Sequence, residues 1–532
     1  MKKLILALLI IYYLLPIAEA QVSQSWTSYY YMNCTNNLFQ KVQDIVTDDS
    51  GYVYIAGWTC QGGSNQSDAL IIKYKPNGDS SWVRRYNNSS TNGNEYLYSI
   101  LKDATGNIYV SGSSENFSTR GDLILLKYTS AGQQLWVKRY CNFPQDTGAC
   151  AYDMKFDKAG NIVLAGRSGP YLYTLKCTTT GDTIWTDRYT AAGAAYGYNI
   201  DVDNSNNIYV CGMSWNGMGS NYITVKYNSS GARQWTSYYY GANFTLTDYT
   251  NKMRVDGGGN VFVGGTAYTD TGHNGYIVIK YNTNGNQRWL KRYNYYQNQD
   301  DILFDIALDS ISNVYVTGSS YYNTCATLKY DSSGALKWES RITGSGGRLI
   351  SFDRYGYVYI AGKGGGLGFL KYAPAGNLIW NSGFVYNSLY FGKKFIIDRN
   401  NNFILTGNIT GITSNTICTE KYNQTTSVRL ISTVIPDKFN LEQNFPNPFN
   451  PITKIKFDIH PLNPPLGKGG YGGVSLKVFD ITGREIQTLV NEQLNPGTYE
   501  VTFDGSNLPC GIYFYQLRAG EYMETKKLVL LK

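Results

Sequence analysis

The sequence of 532 residues predicts an all-β protein built from one four-stranded unit that repeats along most of the chain. Only 16% of the residues are charged, while 56 are glycine and 49 are tyrosine, a composition that favours packed strands joined by tight turns. Tryptophan recurs with a period of about 51 residues, at eight positions: Trp26, Trp82, Trp136, Trp185, Trp235, Trp289, Trp338 and Trp380.

Three motifs repeat in phase with the tryptophans and define the strands of each unit. A turn that begins with Asp leads into an Ile/Tyr/Val strand ending in Gly, most clearly from Asp103 to Gly112. An apolar strand ending in Lys-Tyr follows, as in the run up to Tyr128, and the tryptophan strand completes the unit. Short alternating strands at this spacing are typical of propeller blades. We therefore predict an eight-bladed β-propeller of four-stranded blades, with seven blades as the alternative.

The two ends of the repeat region complement each other. After Lys421-Tyr422 the eighth unit has no tryptophan strand, whereas the chain begins with such a strand around Trp26 and has no first three strands before it. Pairing the N-terminal strand with the last blade would close the ring and leave no free edge. The propeller is thus predicted to span residues 21–425, followed by a linker at 426–436. The repeats resemble the bacterial exported β-propeller repeat family labelled SBBP.

The N-terminus has the pattern of a secretory signal peptide. Lys2 and Lys3 precede an apolar run from Leu4 to Leu15, and Ala18-Glu19-Ala20 supplies a small-x-small cleavage site, so residues 1–20 are predicted to be removed. The apolar run is shorter than the roughly 20 residues of a membrane span. We predict no transmembrane segment in the mature chain.

An exported protein can form disulfides, and the sequence contains nine cysteines. Two pairs are candidates for structural disulfides, Cys34 with Cys60 and Cys141 with Cys150. The remaining cysteines within strand patterns are interpreted as small buried residues.

Beyond residue 436 the repeat ends, and a proline-spaced segment, Asn444 to Pro451, precedes several short strand patterns. Residues 437–532 are predicted to form a small β-sandwich. The segment closely resembles the type A C-terminal sorting domain of the type IX secretion system of Bacteroidetes and related bacteria. The matching positions include Asn447, Pro448, Asp480, Gly483, Arg484, Gly511, Tyr513 and Lys527. The resemblance implies that the secretion translocon is a partner and that the protein is attached to the outer-membrane surface or is extracellular.

The sequence offers no catalytic constellation, cofactor motif or metal site. His273 and His460 are the two histidines, no C-x-x-C occurs, and one Asp per turn does not supply the six to eight oxygens of a calcium site. The segment Tyr330 to Trp338 resembles the tryptophan-docking turn of quinoprotein dehydrogenases, but the adjacent Cys-Cys of that family is absent. Basic residues form no run or stripe, which argues against nucleic acid as a partner.

Candidate ligand-binding residues lie in the longer loops, which should all emerge on one face of the propeller. Aromatic side chains beside carboxylates suit stacking on sugar rings or contact with a protein. The candidates are Trp58, Tyr96, Trp215, Tyr240, Tyr295, Tyr296, Asp300, Asp301 and Tyr321.

Three functions remain open. The first is an exported binding or adhesion scaffold for a glycan, lipopolysaccharide, another surface polymer or a protein. The second is a secreted enzyme acting on polysaccharide at the loop face, where paired carboxylates such as Asp300-Asp301 could serve. The third is a structural envelope component without a discrete ligand.

Overall fold

The protein is described from a computed structural model. The described residues are 22–32, 40–60, 66–88, 93–115, 121–140, 148–191, 193–215, 217–241, 249–268, 272–296, 298–321, 323–344, 346–353, 356–362, 368–382, 390–398, 401–410, 415–424, 429–432, 434–460, 473–494, 496–505 and 508–531. These residues form strands and turns and contain no helix. The chain divides into two compact units, one formed by Gln24–Tyr422 and one that contains Asn423–Lys532. The predicted signal peptide lies outside the described residues.

The first unit consists of eight four-stranded antiparallel sheets, which confirms the eight-bladed propeller over the seven-bladed alternative. The first four blades contain β2 (Lys41–Thr47), β3 (Val53–Cys60), β4 (Ser67–Tyr74) and β5 (Ser80–Tyr86); β6 (Glu95–Lys102), β7 (Ile108–Ser114), β8 (Asp122–Tyr128) and β9 (Gln134–Tyr140); β10 (Ala149–Phe156), β11 (Ile162–Ser168), β12 (Tyr171–Cys177) and β13 (Thr183–Tyr189); and β14 (Ala195–Val202), β15 (Ile208–Trp215), β16 (Ser220–Tyr227) and β17 (Arg233–Tyr239).

Blades 5 to 7 continue the pattern, and blade 8 closes the ring. Their strands are β18 (Tyr249–Val255), β19 (Val261–Tyr268), β20 (Asn274–Tyr281) and β21 (Gln287–Tyr293); β22 (Ile302–Leu308), β23 (Val314–Ser320), β24 (Thr324–Tyr330) and β25 (Leu336–Thr343); β26 (Gly347–Phe352), β27 (Val358–Gly362), β28 (Phe369–Tyr372) and β29 (Leu378–Asn381); and β30 (Tyr390–Ile397), β31 (Phe403–Thr410) and β32 (Asn415–Gln424), with β1 (Val22–Tyr30) as the fourth strand of blade 8. The N-terminal strand β1 therefore lies beside β32 and covers the last strand edge of blade 8.

The tight turn between the first and second strands of each blade has the geometry that its sequence predicts. The side chain of Asp103 accepts hydrogen bonds from the backbone N–H of Thr105 (2.9 Å) and Asn107 (2.8 Å). The fourth position is left-handed in every blade, and it is Gly in five of them. In blade 6 the turn forces Ser312 to a φ of 63°.

Each tryptophan of a fourth strand packs against the next blade. The indole N–H of Trp235 donates to the carbonyl of Thr283 (2.9 Å), and its ring lies directly beneath Gly285. The ammonium of Lys226 donates to the same Thr283 carbonyl at 2.9 Å. Equivalent pairs converge on Ser130, Ser229, Ser332 and Pro374. The repeated lysines and tryptophans are therefore fasteners between blades.

The apolar core is divided into clusters, each shared by two neighbouring blades. Tyr54 and Ile71 of blade 1 pack with Leu97, Ile100 and Ile108 of blade 2, for example. The cluster that contains Trp26 joins β1 and blade 1 to Ile404 and Ile417 of blade 8. Burial of apolar surface thus holds the ring together at its closure as it does elsewhere.

The second unit is a sandwich of two four-stranded sheets around one core. One sheet has the order β33 (Arg429–Ser432), β38 (Gly497–Asp504), β35 (Ile452–Ile459) and β34 (Asn440–Leu441); the other has the order β37 (Glu485–Gln493), β36 (Gly473–Phe479), β39 (Gly511–Ala519) and β40 (Tyr522–Leu530). Burial alternates along the strands, because one face of each sheet points into the core. The stretch 426–436, expected as a linker, contributes β33 to this sandwich.

Candidate functional site: the inner ring of first strands

The first strands of consecutive blades contact each other around the whole propeller, from β2 through β30 and back to β2. They therefore surround its central channel. Every first strand contains a β-bulge, and the bulged residue lies five positions before the turn aspartate in each blade. We call these eight residues the bulge ring: Gln43, Tyr98, Tyr152, Tyr198, Asn251, Phe304, Arg348 and Lys393.

A row of aromatic side chains occupies one side of the bulge ring. The ring centroids of Tyr98 and Tyr152 are 5.4 Å apart, and those of Tyr152 and Tyr198 are 5.2 Å apart. Trp58 extends the row at the other end, 5.7 Å from Tyr98 and 5.1 Å from Tyr96. The four tyrosines are half-buried, so each keeps an accessible edge. We call these five residues the aromatic arc.

Cationic side chains occupy the opposite side. The Arg348 guanidinium lies 4.4 Å from the ring centroid of Phe304, and its Nε is buried with no hydrogen-bond partner in the structure. Lys393 follows in blade 8 and is accessible to water. Although this side chain is accessible to water, the protein atoms around it partly desolvate its ammonium, and this desolvation, together with the charges of Lys252, Lys41, Arg348 and Lys394, lowers the pKa of Lys393 to about 8. We call Lys252, Arg348 and Lys393 the cationic arc.

Aspartates of the inner strands are already committed to the scaffold. Asp44 accepts from the backbone N–H of Ile100 in the next blade (3.1 Å) and pairs with Lys394 at 3.1 Å. Asp153 and Asp305 accept from the next blade in the same way, each at 3.1 Å. Each of these carboxylates joins two neighbouring first strands. The hydrogen bonds involved are strong, because a charged acceptor strengthens a hydrogen bond in a partly dry interior.

The structure separates the predicted ligand-binding residues into several groups. Trp58 and Tyr96 belong to the aromatic arc, although Trp58 is only 9% exposed. Trp215 ends β15 and is 42% exposed, outside the arc. Tyr240 is 43% exposed and stacks on Tyr238, with ring centroids 6.2 Å apart.

A second aromatic cluster lies where blades 5 and 6 meet. Tyr295 contacts Tyr296 at 4.7 Å, and Tyr296 contacts Tyr321 at 5.7 Å between ring centroids. The Arg341 guanidinium lies 3.5 Å from the centre of the Tyr295 ring. Tyr295 and Tyr296 remain about half exposed, so this cluster presents its own small surface.

The two adjacent carboxylates Asp300 and Asp301 have different surroundings. Asp301 is 1% exposed, and its Oδ2 accepts from the backbone N–H of Tyr295 at 2.7 Å. Asp300 is exposed and accepts from the backbone N–H of Asn274 at 2.8 Å. Burial raises the pKa of Asp301. Both carboxylates hold loop backbone in place, and only Asp300 is open to a ligand.

One predicted disulfide is not formed. Cys150 is a free, buried cysteine in the first strand of blade 3, so the predicted bridge to Cys141 is wrong. The short loop spacing suggested that bridge, but β10 turns Cys150 inward among packed side chains, where burial raises the pKa of its thiol to about 12. Cys60 is disulfide-bonded. Cys34 and Cys141 lie outside the described residues.

Within the described part of the chain, no helix is long and apolar enough to cross a membrane. The same residues contain no group of three or more His, Cys, Asp or Glu side chains that could hold a metal ion.

In the sandwich, the sorting motif residues hold turns and an end strand. Asn447 accepts from the N–H of Val529 (2.9 Å) and donates to the carbonyl of Lys527 (3.3 Å), which ties the Asn447-Pro448 entry segment to β40. Asp480 accepts from the N–H of Arg484 at 3.0 Å in a turn where Gly483 has a φ of 80°.

The other matched positions lie at the start of β39. Gly511 is its first residue, and the hydroxyl of Tyr513 donates to the carbonyl of Pro509 at 2.8 Å. The Tyr513 side chain is buried, whereas the Arg484 side chain is exposed and pairs with Asp480 at 3.1 Å. Most of the motif therefore maintains the sandwich, and Arg484 is available at its surface.

Residues 443–531 match the family model described as a secretion system C-terminal sorting domain, and residues 184–217 match that of the SBBP beta-propeller repeat. The chain carries a type IX sorting domain after an SBBP-type β-propeller. This sorting domain indicates export, with attachment to the surface or secretion, and implies interaction with the secretion system. No curated protein matches the sequence.

Several solved structures are similar to the chain. The Dos1 propeller has a TM-score of 0.50 at 10% identity and covers 76% of this chain and 95% of that one. The β-propeller domain of the trilobed protease from Pyrococcus furiosus has a TM-score of 0.37 at 10% identity (66% and 100% covered). A PL25 ulvan lyase has a TM-score of 0.37 at 12% identity (68% and 96% covered). At 10% identity, the likeness to the Dos1 propeller shows the fold alone.

Sequence reasoning found only the edge of the inner site. Tyr98, Tyr152, Tyr198 and the cationic arc were not among the predicted residues, since they lie within strands and not in loops. All of them except Lys252, which follows the bulged Asn251, lie five residues before the turn aspartate of their blade, and this common offset is a signal that the sequence does contain. Within its own repeat, each residue fits the alternating pattern of a strand. The ring becomes apparent only when the repeats are aligned with one another.

Proposed function

We propose that this exported propeller binds a glycan at the mouth of its central channel, on the face where the long loops emerge. The observation that carries the proposal is the aromatic arc, in which Trp58, Tyr98, Tyr152 and Tyr198 line up across four consecutive blades. Sugar rings present apolar C–H faces, and aromatic side chains on rigid strands bind such faces at low entropic cost.

The position of the arc supports binding over a purely structural role. The tryptophans and lysines between blades already fasten the ring, and they lie away from the inner strands. The arc tyrosines instead remain half-exposed, and the bulges turn them out of the normal alternation of the strand. Bulges commonly redirect a side chain at functional sites. A sorting domain that places the protein at or beyond the cell surface fits a ligand found outside the cell.

The mature protein is tested on a glycan array, and its affinity for the glycans that it binds most strongly there is then measured. Tyr98→Ala and Tyr152→Ala should each weaken binding by about 2- to 12-fold, because a lost aromatic contact costs about 0.5–1.5 kcal/mol. Tyr240→Ala is the matched control, since it removes an exposed loop-face tyrosine outside the arc. Equal losses in all three variants, or no saturable binding of any glycan, would contradict the proposal.

A further inference from the structure

The cationic arc forms no close ion pair. Among the residues that the structure describes, Lys252, Arg348 and Lys393 form no ion pair within 4.0 Å, while neighbouring Lys394 is paired with Asp44. Lys252 does experience the negative charges of Asp305 and Asp153. The charges that act on Lys393 are instead those of other cations, and burial lowers the pKa of Arg348 with no carboxylate to oppose it. The channel mouth therefore keeps uncompensated positive charge at Arg348 and Lys393.

These charges act on one another across the ring. Lys393 of blade 8 experiences the charges of Lys252 in blade 5, Arg348 in blade 7 and Lys41 in blade 1. Burial and the charge of Lys394 lower the pKa of Lys252 as well. Gathering like charges in a partly dry place is unfavourable unless something else there benefits from them.

Arg348 gives a second, independent indication of an anion-binding site. Its guanidinium is held in place by the Phe304 ring, yet its Nε is buried and donates to no acceptor in the structure. A guanidinium with an unused donor is suited to a planar or tetrahedral oxyanion, which accepts several hydrogen bonds at once.

Building on the proposed glycan site, we infer that the cationic arc receives an oxyanion group of the ligand, a carboxylate or a sulfate. An acidic sugar would stack on the aromatic arc and place its charged substituent against Arg348 and Lys393. The ligand class is therefore an acidic polysaccharide and not a neutral one. The aromatic arc would bind the C–H face of the ligand, and the cationic arc would bind its charged group.

Affinity electrophoresis of the full mature protein distinguishes the sources of the oxyanion. Four gels contain polygalacturonate, its methyl ester, dextran sulfate and dextran, so each acidic polymer has a neutral counterpart. We expect at least one acidic gel to retard the protein at least tenfold more strongly than its counterpart. Lys393→Met and Arg348→Gln should lose this retardation, whereas Lys158→Met, which removes an exposed lysine from a turn on the opposite face, should keep it.

Titration with inorganic sulfate by calorimetry provides the second measurement. Sulfate should bind with one-to-one stoichiometry, and at pH 8 binding should take up protons, because the anion restores the lowered pKa of Lys393. Proton uptake should vanish in Lys393→Met. That variant should unfold at no lower a temperature than the wild type, because it removes a repelled charge, so lost binding cannot be attributed to misfolding.

The outcomes separate the two proposals. If neutral polymers retard the protein as strongly as acidic ones, and Tyr98→Ala abolishes the effect, glycan binding stands and the oxyanion inference is overturned. If Lys393→Met and Lys158→Met bind sulfate equally well and are retarded equally by the acidic gels, the oxyanion inference is also overturned. If Lys393→Met abolishes retardation in the acidic gels but Tyr98→Ala and Tyr152→Ala do not, the oxyanion site stands and the aromatic glycan site is contradicted.

Discussion

The contact between the fourth-strand tryptophan Trp235 and Gly285 of the next blade can be tested with three glycine substitutions. Gly285, Gly181 and Gly160 all have left-handed backbone, with φ of +81°, +81° and +83°. An added Cβ would lie 2.6 Å from Cδ2 of Trp235 at Gly285, and 2.6 Å from Cγ of Lys138 at Gly181. At Gly160 it would meet nothing within 4 Å. The three sites thus share backbone strain and differ in what they touch.

The magnitudes follow from those contacts. Left-handed backbone costs an alanine about 1–2 kcal/mol, which is the full expected cost for Gly160→Ala. Gly181→Ala should cost about the same, since the Lys138 side chain can swing aside. Gly285→Ala should cost about 1–3 kcal/mol more, the usual range for an overpacked core. The Trp235 ring cannot retreat, because its N–H is bound to Thr283 and its faces pack near Tyr209 and Tyr281.

Equilibrium urea unfolding monitored by tryptophan fluorescence is the assay. All 10 tryptophans lie between Trp26 and Trp380, so the signal reports the propeller and not the sandwich. The excess cost of Gly285→Ala should disappear in a Trp235→Ala background, where only the backbone strain remains. Equal destabilisation by Gly285→Ala and Gly160→Ala would refute the argument that the indole presses on the turn and fastens the blades.

Two further predictions concern ionisation and thiols. Burial raises the pKa of Glu95 to about 7 from 4.5, so the native state holds this proton more tightly than the unfolded state, and stability falls as pH rises from 4.5 to 7. Glu95→Gln should therefore be more stable than the wild type by up to about 3 kcal/mol at pH 8 and by much less at pH 5. Urea unfolding at both pH values measures this difference in the free energy of unfolding. A difference that does not change with pH would contradict the prediction. Cys510 is exposed and Cys150 is buried, so Cys510→Ser should remove one fast-reacting thiol from the native protein in a DTNB assay. Cys150→Ser should remove no reactive thiol from the native protein and one from the denatured protein. If the denatured variant instead had one thiol more than the denatured wild type, Cys150 would be disulfide-bonded in the wild type, because the substitution would free its partner.

Much of the fold follows from local chemistry that repeats. An Asp-initiated turn with Gly, Asn or Ser312 at its left-handed position is specified within five residues, because the carboxylate and the backbone it binds are adjacent in sequence. The Trp period predicted the number of blades, and the unmatched strand around Trp26 predicted that the N-terminal strand joins the last blade. The Asp480 turn of the sorting domain is local in the same way, because its carboxylate binds the N–H of Arg484 four residues later.

The candidate site depends instead on contacts between strands that are far apart in the chain. The amino-acid sequence shows that aromatic and charged residues such as Trp58 and Asp301 are present in the repeats. It does not show which of them face the channel, because a single bulge reverses the facing of every residue beyond it. Only the closed ring brings Tyr98, Tyr152 and Tyr198 into contact and places Lys393 where the charge of Lys252 acts on it, although Lys252 lies more than 140 positions earlier in the chain. Backbone and turn geometry are encoded locally, whereas the meeting of side chains around an axis is decided by the curvature of the whole propeller.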